Sequence, residues 1–171
     1  MAILKKNFLS RLFQFTPLII LLFLAFSEVN FTFEKLSYLS FNIIHIVIFY
    51  WVLKNPEILG YGFIFFAGIV NDVVVGLPIG ISSITYLILS GFAAYLRYLT
   101  VQPSLIYDWI VFAPATAVTN TMYYYILGIF FDTYINYIDL AFNTVITFLL
   151  YPVIGILFNL IAKLIIEEKN A

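Results

Sequence analysis

Apolar residues run almost unbroken along this chain, and that continuity limits the fold more than any single motif. Six stretches can be drawn, at 12–26, 36–53, 58–75, 79–99, 105–131 and 140–166, with short connections between them. Crossing a bilayer takes about 20 apolar residues. Lipid offers backbone groups no partners, so each stretch must hydrogen-bond within itself as a helix. The stretches are continuously apolar instead of alternating, which argues against a β-barrel. Composition agrees. Of the 171 residues, 64% are hydrophobic and 10% charged, against about 25% charged in a soluble domain. The predicted fold class is an all-α integral membrane protein: one polytopic domain over 1–171, a bundle of six transmembrane helices.

Lysine and arginine set the expected orientation. With the N-terminus inside, Lys5, Lys6, Arg11, Lys54, Arg97, Lys163 and Lys169 lie on the cytoplasmic side and only Lys35 lies outside. This asymmetry predicts N-in and C-in. The turn at 76–78 and the connections at 28–35 and 132–139 then face outward. The first stretch also reads as a signal peptide, with Ala25-Phe26-Ser27 as the cleavage site; cleavage would leave five spans in the same orientation. The absence of cysteine removes disulfides, thiolate nucleophiles and Cys-based metal sites. No basic cluster points to nucleic acid.

The stretch 68–81, GIVNDVVVGLPIGI, ends one apolar segment, turns tightly and starts another. Asp72 sits inside it among valines and isoleucine, where a carboxylate is costly without a partner or a task. Gly68, Asp72 and Gly76 recur every four residues and share one helix face. Gly76 suits a left-handed helix end, and Pro78 suits the first turn of the next helix. The amides at 79–83 then cap Asp72, with Ser82 and Ser83 as added donors. An ion site, a proton site or a partner contact is the functional alternative. By helix rise, Arg97 lies roughly 20 Å away along the membrane normal, so it snorkels to the headgroups and does not pair with Asp72.

Elsewhere the polar residues are few. Tyr50 and Trp51 are placed in an interfacial aromatic belt, with Lys54 as a cytoplasmic anchor and Pro56 starting the next helix; Arg97 and Trp109 are further interface anchors. His45 is the only histidine. It is read as a helix-packing hydrogen bonder, because no second ligand at helical spacing makes a metal site. Asn42 stands three residues before it. Ala113, Ala117 and Thr121 form a small-residue face for a close helix–helix or partner seam, and Thr116 and Asn120 lie one turn apart near it, able to line a small polar pocket. Pro114 is expected to kink its helix. Pro152, Gly155 and Asn159 make a weaker feature of the same kind. Catalysis has little support. His45 has no serine and acid at its depth, and Asp72 has no second acid to make a dyad, since Asp132 and Asp139 fall in the outer connection and Asp108 at the opposite face. The reading is therefore of a non-enzyme, with no cofactor and no metal.

The pattern Phe66-Ala-Gly68-Ile-Val-Asn-Asp72, followed by Gly76-Leu-Pro78-Ile-Gly80, resembles the signature of the bacterial rod shape-determining protein MreD family. The segment from Trp51 through Lys54 to Pro56 resembles that family's turn of the same kind, and length and span number agree over essentially the whole chain. Ile79 stands where leucine is usual, and Asn71 where an apolar residue is usual. The resemblance implies a non-enzymatic inner-membrane component of the cell-elongation machinery. Such a component binds an MreC-type single-span protein, works with MreB filaments and peptidoglycan synthases, and helps to place lateral wall synthesis and maintain rod shape. It also implies a fold similar to the substrate-binding subunits of energy-coupling-factor transporters. A vitamin-type transporter subunit is thus the alternative, but the first stretch is bulky throughout 17–25 where such subunits present small residues. Membrane lipid is a partner on either reading, and self-association is left open.

Overall fold

A computed structural model describes residues 15–27, 41–99, 104–131 and 136–170. They form six helices: α1 (Thr16–Phe26), α2 (Ile43–Lys54), α3 (Tyr61–Val75), α4 (Ile81–Leu99), α5 (Leu105–Phe131) and α6 (Tyr137–Asn170). No strand occurs among the described residues. The helices follow the six apolar stretches in order. One of them, over Tyr137–Leu160, is long and apolar enough to cross a membrane; α1, α2 and α3 are shorter apolar helices. Lys5, Lys6, Arg11, the 28–35 connection with Lys35, and Asp132 lie outside the described residues.

Helix ends follow local chemistry. Pro17 falls in the first turn of α1, where its missing N–H is not needed. Gly60 opens α3 by accepting from the Phe63 and Ile64 amides. The Ser104 hydroxyl accepts from the Tyr107 amide to start α5. Asn136 does the same for Ile138 at the start of α6. Two expectations are corrected here. Pro56 lies in the turn between α2 and α3, not at a helix start, because α3 begins only at Tyr61. Asp139 lies in the first turn of α6, not in a connection, where the helix N-terminus favours its charge.

α2 is the central helix. It packs against α1, α4, α5 and α6, while α3 lies beside α1 and α4, and α5 lies between α4 and α6. Every residue from His45 to Leu53 is buried, as expected of a helix surrounded on all sides. Tyr50 and Trp51, read from sequence as belt residues, are among them. Both are 1% exposed and pack on Phe158 of α6 with ring centroids 5.3 and 5.9 Å away. Phe49, Phe112 and Tyr151 complete this aromatic core, with Phe112 stacked on Tyr151 at 4.5 Å.

Two helices bury polar side chains beside apolar ones and expose large apolar side chains. α4 buries Ser82, Ser83, Thr85 and Ser90 and exposes Ile84, Phe92, Tyr95 and Tyr98. α3 buries its small face at Ala67, Gly68 and Asp72 and exposes Phe63, Phe65 and Phe66. Pro114 and Pro152 sit inside α5 and α6 without ending them.

Candidate functional site

The bundle has two polar ends. At one, α3 and α4 meet in the turn that contains Asp72. Gly76 ends α3 in the left-handed region at φ 73°, and Gly80 follows at φ 110° before α4 begins. Both conformations favour glycine, which has no Cβ to clash. The reversal brings the start of α4 onto the Asp72 carboxylate. The Gly80 amide donates to Oδ2 at 2.7 Å, and the Ser82 amide donates to Oδ1 at 2.9 Å. Asp72 is fully buried, and its charge is met by amides at a helix N-terminus instead of by a cation. The Leu77 amide donates to the Asp72 carbonyl at 2.8 Å, closing the end of α3. Nearby, Asn71 Nδ2 donates to Ser82 Oγ at 3.0 Å and Ser83 Oγ donates to the Phe65 carbonyl at 2.9 Å. A Cβ on Gly68 would collide with the backbone of Ser83. Gly68, Asp72, Gly76, Pro78 and Gly80 thus belong to one hairpin. Arg97 is exposed in the last turn of α4, at the far end.

Next to the hairpin, three asparagines join three helices. Asn42, at the head of α2, donates through Nδ2 to Asn120 Oδ1 of α5 and to Asn143 Oδ1 of α6, each at 3.0 Å. Asn120 Nδ2 reaches Asn143 Oδ1 at 3.2 Å and Thr144 Oγ1 at 2.9 Å. Thr147 Oγ1 accepts from the Asn42 amide at 3.0 Å and donates to the Asn143 carbonyl at 2.7 Å. Polar residues of this kind hold helices together where the surroundings are apolar. Sequence reasoning singled out Asn42 and Asn120 separately and missed Asn143, Thr144 and Thr147. The spacing of Asn143 and Thr147, one turn apart, was the available signal.

A cavity of about 200 Å³ lies between this network and the hairpin. Its walls include Asn42, His45, Asn71, Tyr86, Asn120 and Tyr123, and none of its described lining side chains is charged. His45 is 4% exposed and meets Tyr86 edge-on at 5.7 Å. Its Nδ1 has no hydrogen-bond partner, so the expected packing bond is not made by that atom. Thr116 is buried on α5 with its hydroxyl unpartnered and does not line the cavity.

The opposite end carries the second buried acid. Asp108, 2% exposed in the first turn of α5, pairs with Lys54 of α2 at 2.8 Å. Lys54 is thus tied to the protein as well as placed at the helix end. Tyr50 donates to Asn159 Oδ1 at 2.7 Å on the same side. Trp109 stacks on Phe148 and donates its indole N–H to that residue's carbonyl at 2.8 Å. The Ala113, Ala117 and Thr121 stripe is left half-buried to exposed on α5, with Thr121 donating back to the Ala117 carbonyl at 2.8 Å. Asn120, grouped with it in sequence, turns inward to the network.

The described residues form an all-helical bundle with an aromatic and aliphatic core, clusters of buried polar side chains towards its ends, and a cavity at one end whose described lining side chains carry no charge. Among the described residues no three His, Asp or Glu side chains gather to hold a metal. Compared with protein-family models, curated proteins and solved structures, the chain matches none.

Proposed function

We propose that the chain is a non-enzymatic, multi-pass component of the bacterial inner membrane, acting in the cell-elongation machinery as the resemblance to the MreD family implies. The observation that carries this reading is the state of Asp72. Each of its oxygens accepts an amide of the hairpin, so the residues that carry the resemblance build a rigid support instead of a reactive group. The large apolar side chains exposed on α3 and α4 favour lipid around the bundle, because a soluble monomer rarely exposes so wide an apolar surface. On this reading all six helices traverse the bilayer, N-in and C-in. An MreC-type single-span protein packs on the open stripe of Ala113, Ala117 and Thr121, where small residues let a second helix approach. MreB filaments and peptidoglycan synthases act through that assembly.

Affinity purification from a rod-shaped host tests this. A single-span partner with a coiled-coil outer domain co-purifies, and Ala117→Trp releases it while leaving the chain folded. A chain that purifies alone, and whose deletion leaves rods unchanged, overturns the proposal.

The cavity favours a second reading, the substrate-binding subunit of a small-molecule transporter. Ligand sites are concave and carry fixed polar groups; this cavity is concave with fixed polar groups, and its wall is more polar than apolar. Uptake of a vitamin-like solute that depends on the chain would establish it in place of the first.

A further inference from the structure

We propose that the cavity at the hairpin end binds a small uncharged ring carrying both hydrogen-bond donors and acceptors: a nitrogen heterocycle or cyclic amide. The site stands on the cavity itself and adds to the scaffold reading. For the transporter reading it would name the substrate class.

Size comes first. A volume of about 200 Å³ exceeds the ~150 Å³ that accommodates benzene. A substituted single ring fits, and a folded peptide or a whole lipid does not. Charge comes second. No described lining side chain is ionic, so an anionic ligand would lose its hydration without gaining a counter-charge, and a cationic one would touch no carboxylate on the described wall. The carboxylate of Asp72 is already bound by Gly80 and Ser82 and is not part of the wall.

The wall chemistry sets the rest. Asn42 and Asn120 spend their N–H groups on the network and leave carbonyl oxygens as acceptors at the wall, while Asn71 keeps its Oδ1 and a second N–H beyond the one given to Ser82, so acceptors and a donor meet the edge of an amide or heterocycle. Tyr86 and Tyr123 supply ring surface beside them. His45 Nδ1 is a buried polar atom still lacking a partner, and such atoms are few in folded proteins.

The wall is also held in place before any ligand arrives. Asn42 and Asn120 are fixed to each other and to α6. Asn71 is fixed by Ser82, whose own amide is bound to Asp72. The hairpin thus positions one side of the cavity, and preorganisation of this kind lowers the entropy cost of binding.

The test uses the full chain in lipid nanodiscs without partners. It is titrated with nicotinamide and uracil as neutral rings, benzoate and benzylamine as charged rings, and toluene as an apolar ring. Saturation-transfer NMR reports binding, and the thermal unfolding midpoint reports stabilisation. Nicotinamide or uracil should bind about tenfold or more tightly than the other three. Val75→Trp fills part of the cavity from the α3 side, and His45→Phe removes Nδ1 at similar volume; each should weaken binding about tenfold. If one variant fails to fold, the other decides. The proposal is overturned if no neutral ring binds at millimolar concentration, if toluene or a charged ring binds as tightly, or if every folded variant keeps full affinity. Because no partner is present, failure here leaves the co-purification result standing, and the reverse also holds.

Discussion

At the scale of the residue, Asp72 shows how an acid survives in an apolar helix without a cation. Its two acceptors meet two amides that would otherwise be unpaired at the start of α4. Asp72→Ala strands the buried Ser82 amide and the part-buried Gly80 amide, and the expected loss is roughly 3 kcal/mol. Asp72→Asn keeps one acceptor and loses about half as much. Reversible unfolding in mixed micelles measures both, and an Ala variant as stable as the parent would contradict the assignment. The sequence makes Asp72, Gly76 and Gly80 readable because their needs are local: a turn residue, a left-handed position and an acid one turn back. Trp51 is not readable in the same way. An indole in an apolar run looks alike whether it faces lipid or core, and only the central position of α2 decides between them. The same holds for Asn143, whose partners come from helices far away in sequence.

At the scale of the element, two contacts set how the helices meet. α3 and α4 touch so closely at Gly68 that a methyl group has no room beside Ser83. Gly68→Ala should therefore destabilise by about 1–3 kcal/mol. Gly91→Ala, on the open side of α4 with nothing near its Cβ position, should stabilise by roughly 0.5–1 kcal/mol. Unfolding of the two variants side by side checks the sign as well as the size. The Gly68 face could be read from its four-residue spacing, but which helix lies against it could not. At the other end, Lys54 and Asp108 tie α2 to α5. Lys54→Met leaves a buried carboxylate unpaired and should cost about 3–5 kcal/mol. Adding Asp108→Asn should recover most of it, and a double variant no more stable than Lys54→Met would deny the coupling.

At the scale of the whole molecule, the order and number of the helices were legible from apolar runs and short connections. Their arrangement around α2 was not, because a uniformly apolar run carries no mark of which side is covered. The proposed orientation can be checked directly, since the chain has no cysteine. Ile79→Cys, exposed at the hairpin, should react with an impermeant maleimide on intact spheroplasts. Asn55→Cys, exposed at the other end, should react only after the membrane is opened. The opposite pattern would invert the orientation.

The hairpin and the asparagine network also differ in when they become possible. Asp72 finds its donors 8 and 10 residues later. α3 and α4 can therefore make this contact as soon as both have been synthesised. Asn42 must wait for residues 78, 101 and 105 positions downstream. α5 supplies the first of these partners and α6 the other two. The hairpin's contacts are thus complete earlier in synthesis than those that close the bundle around α2.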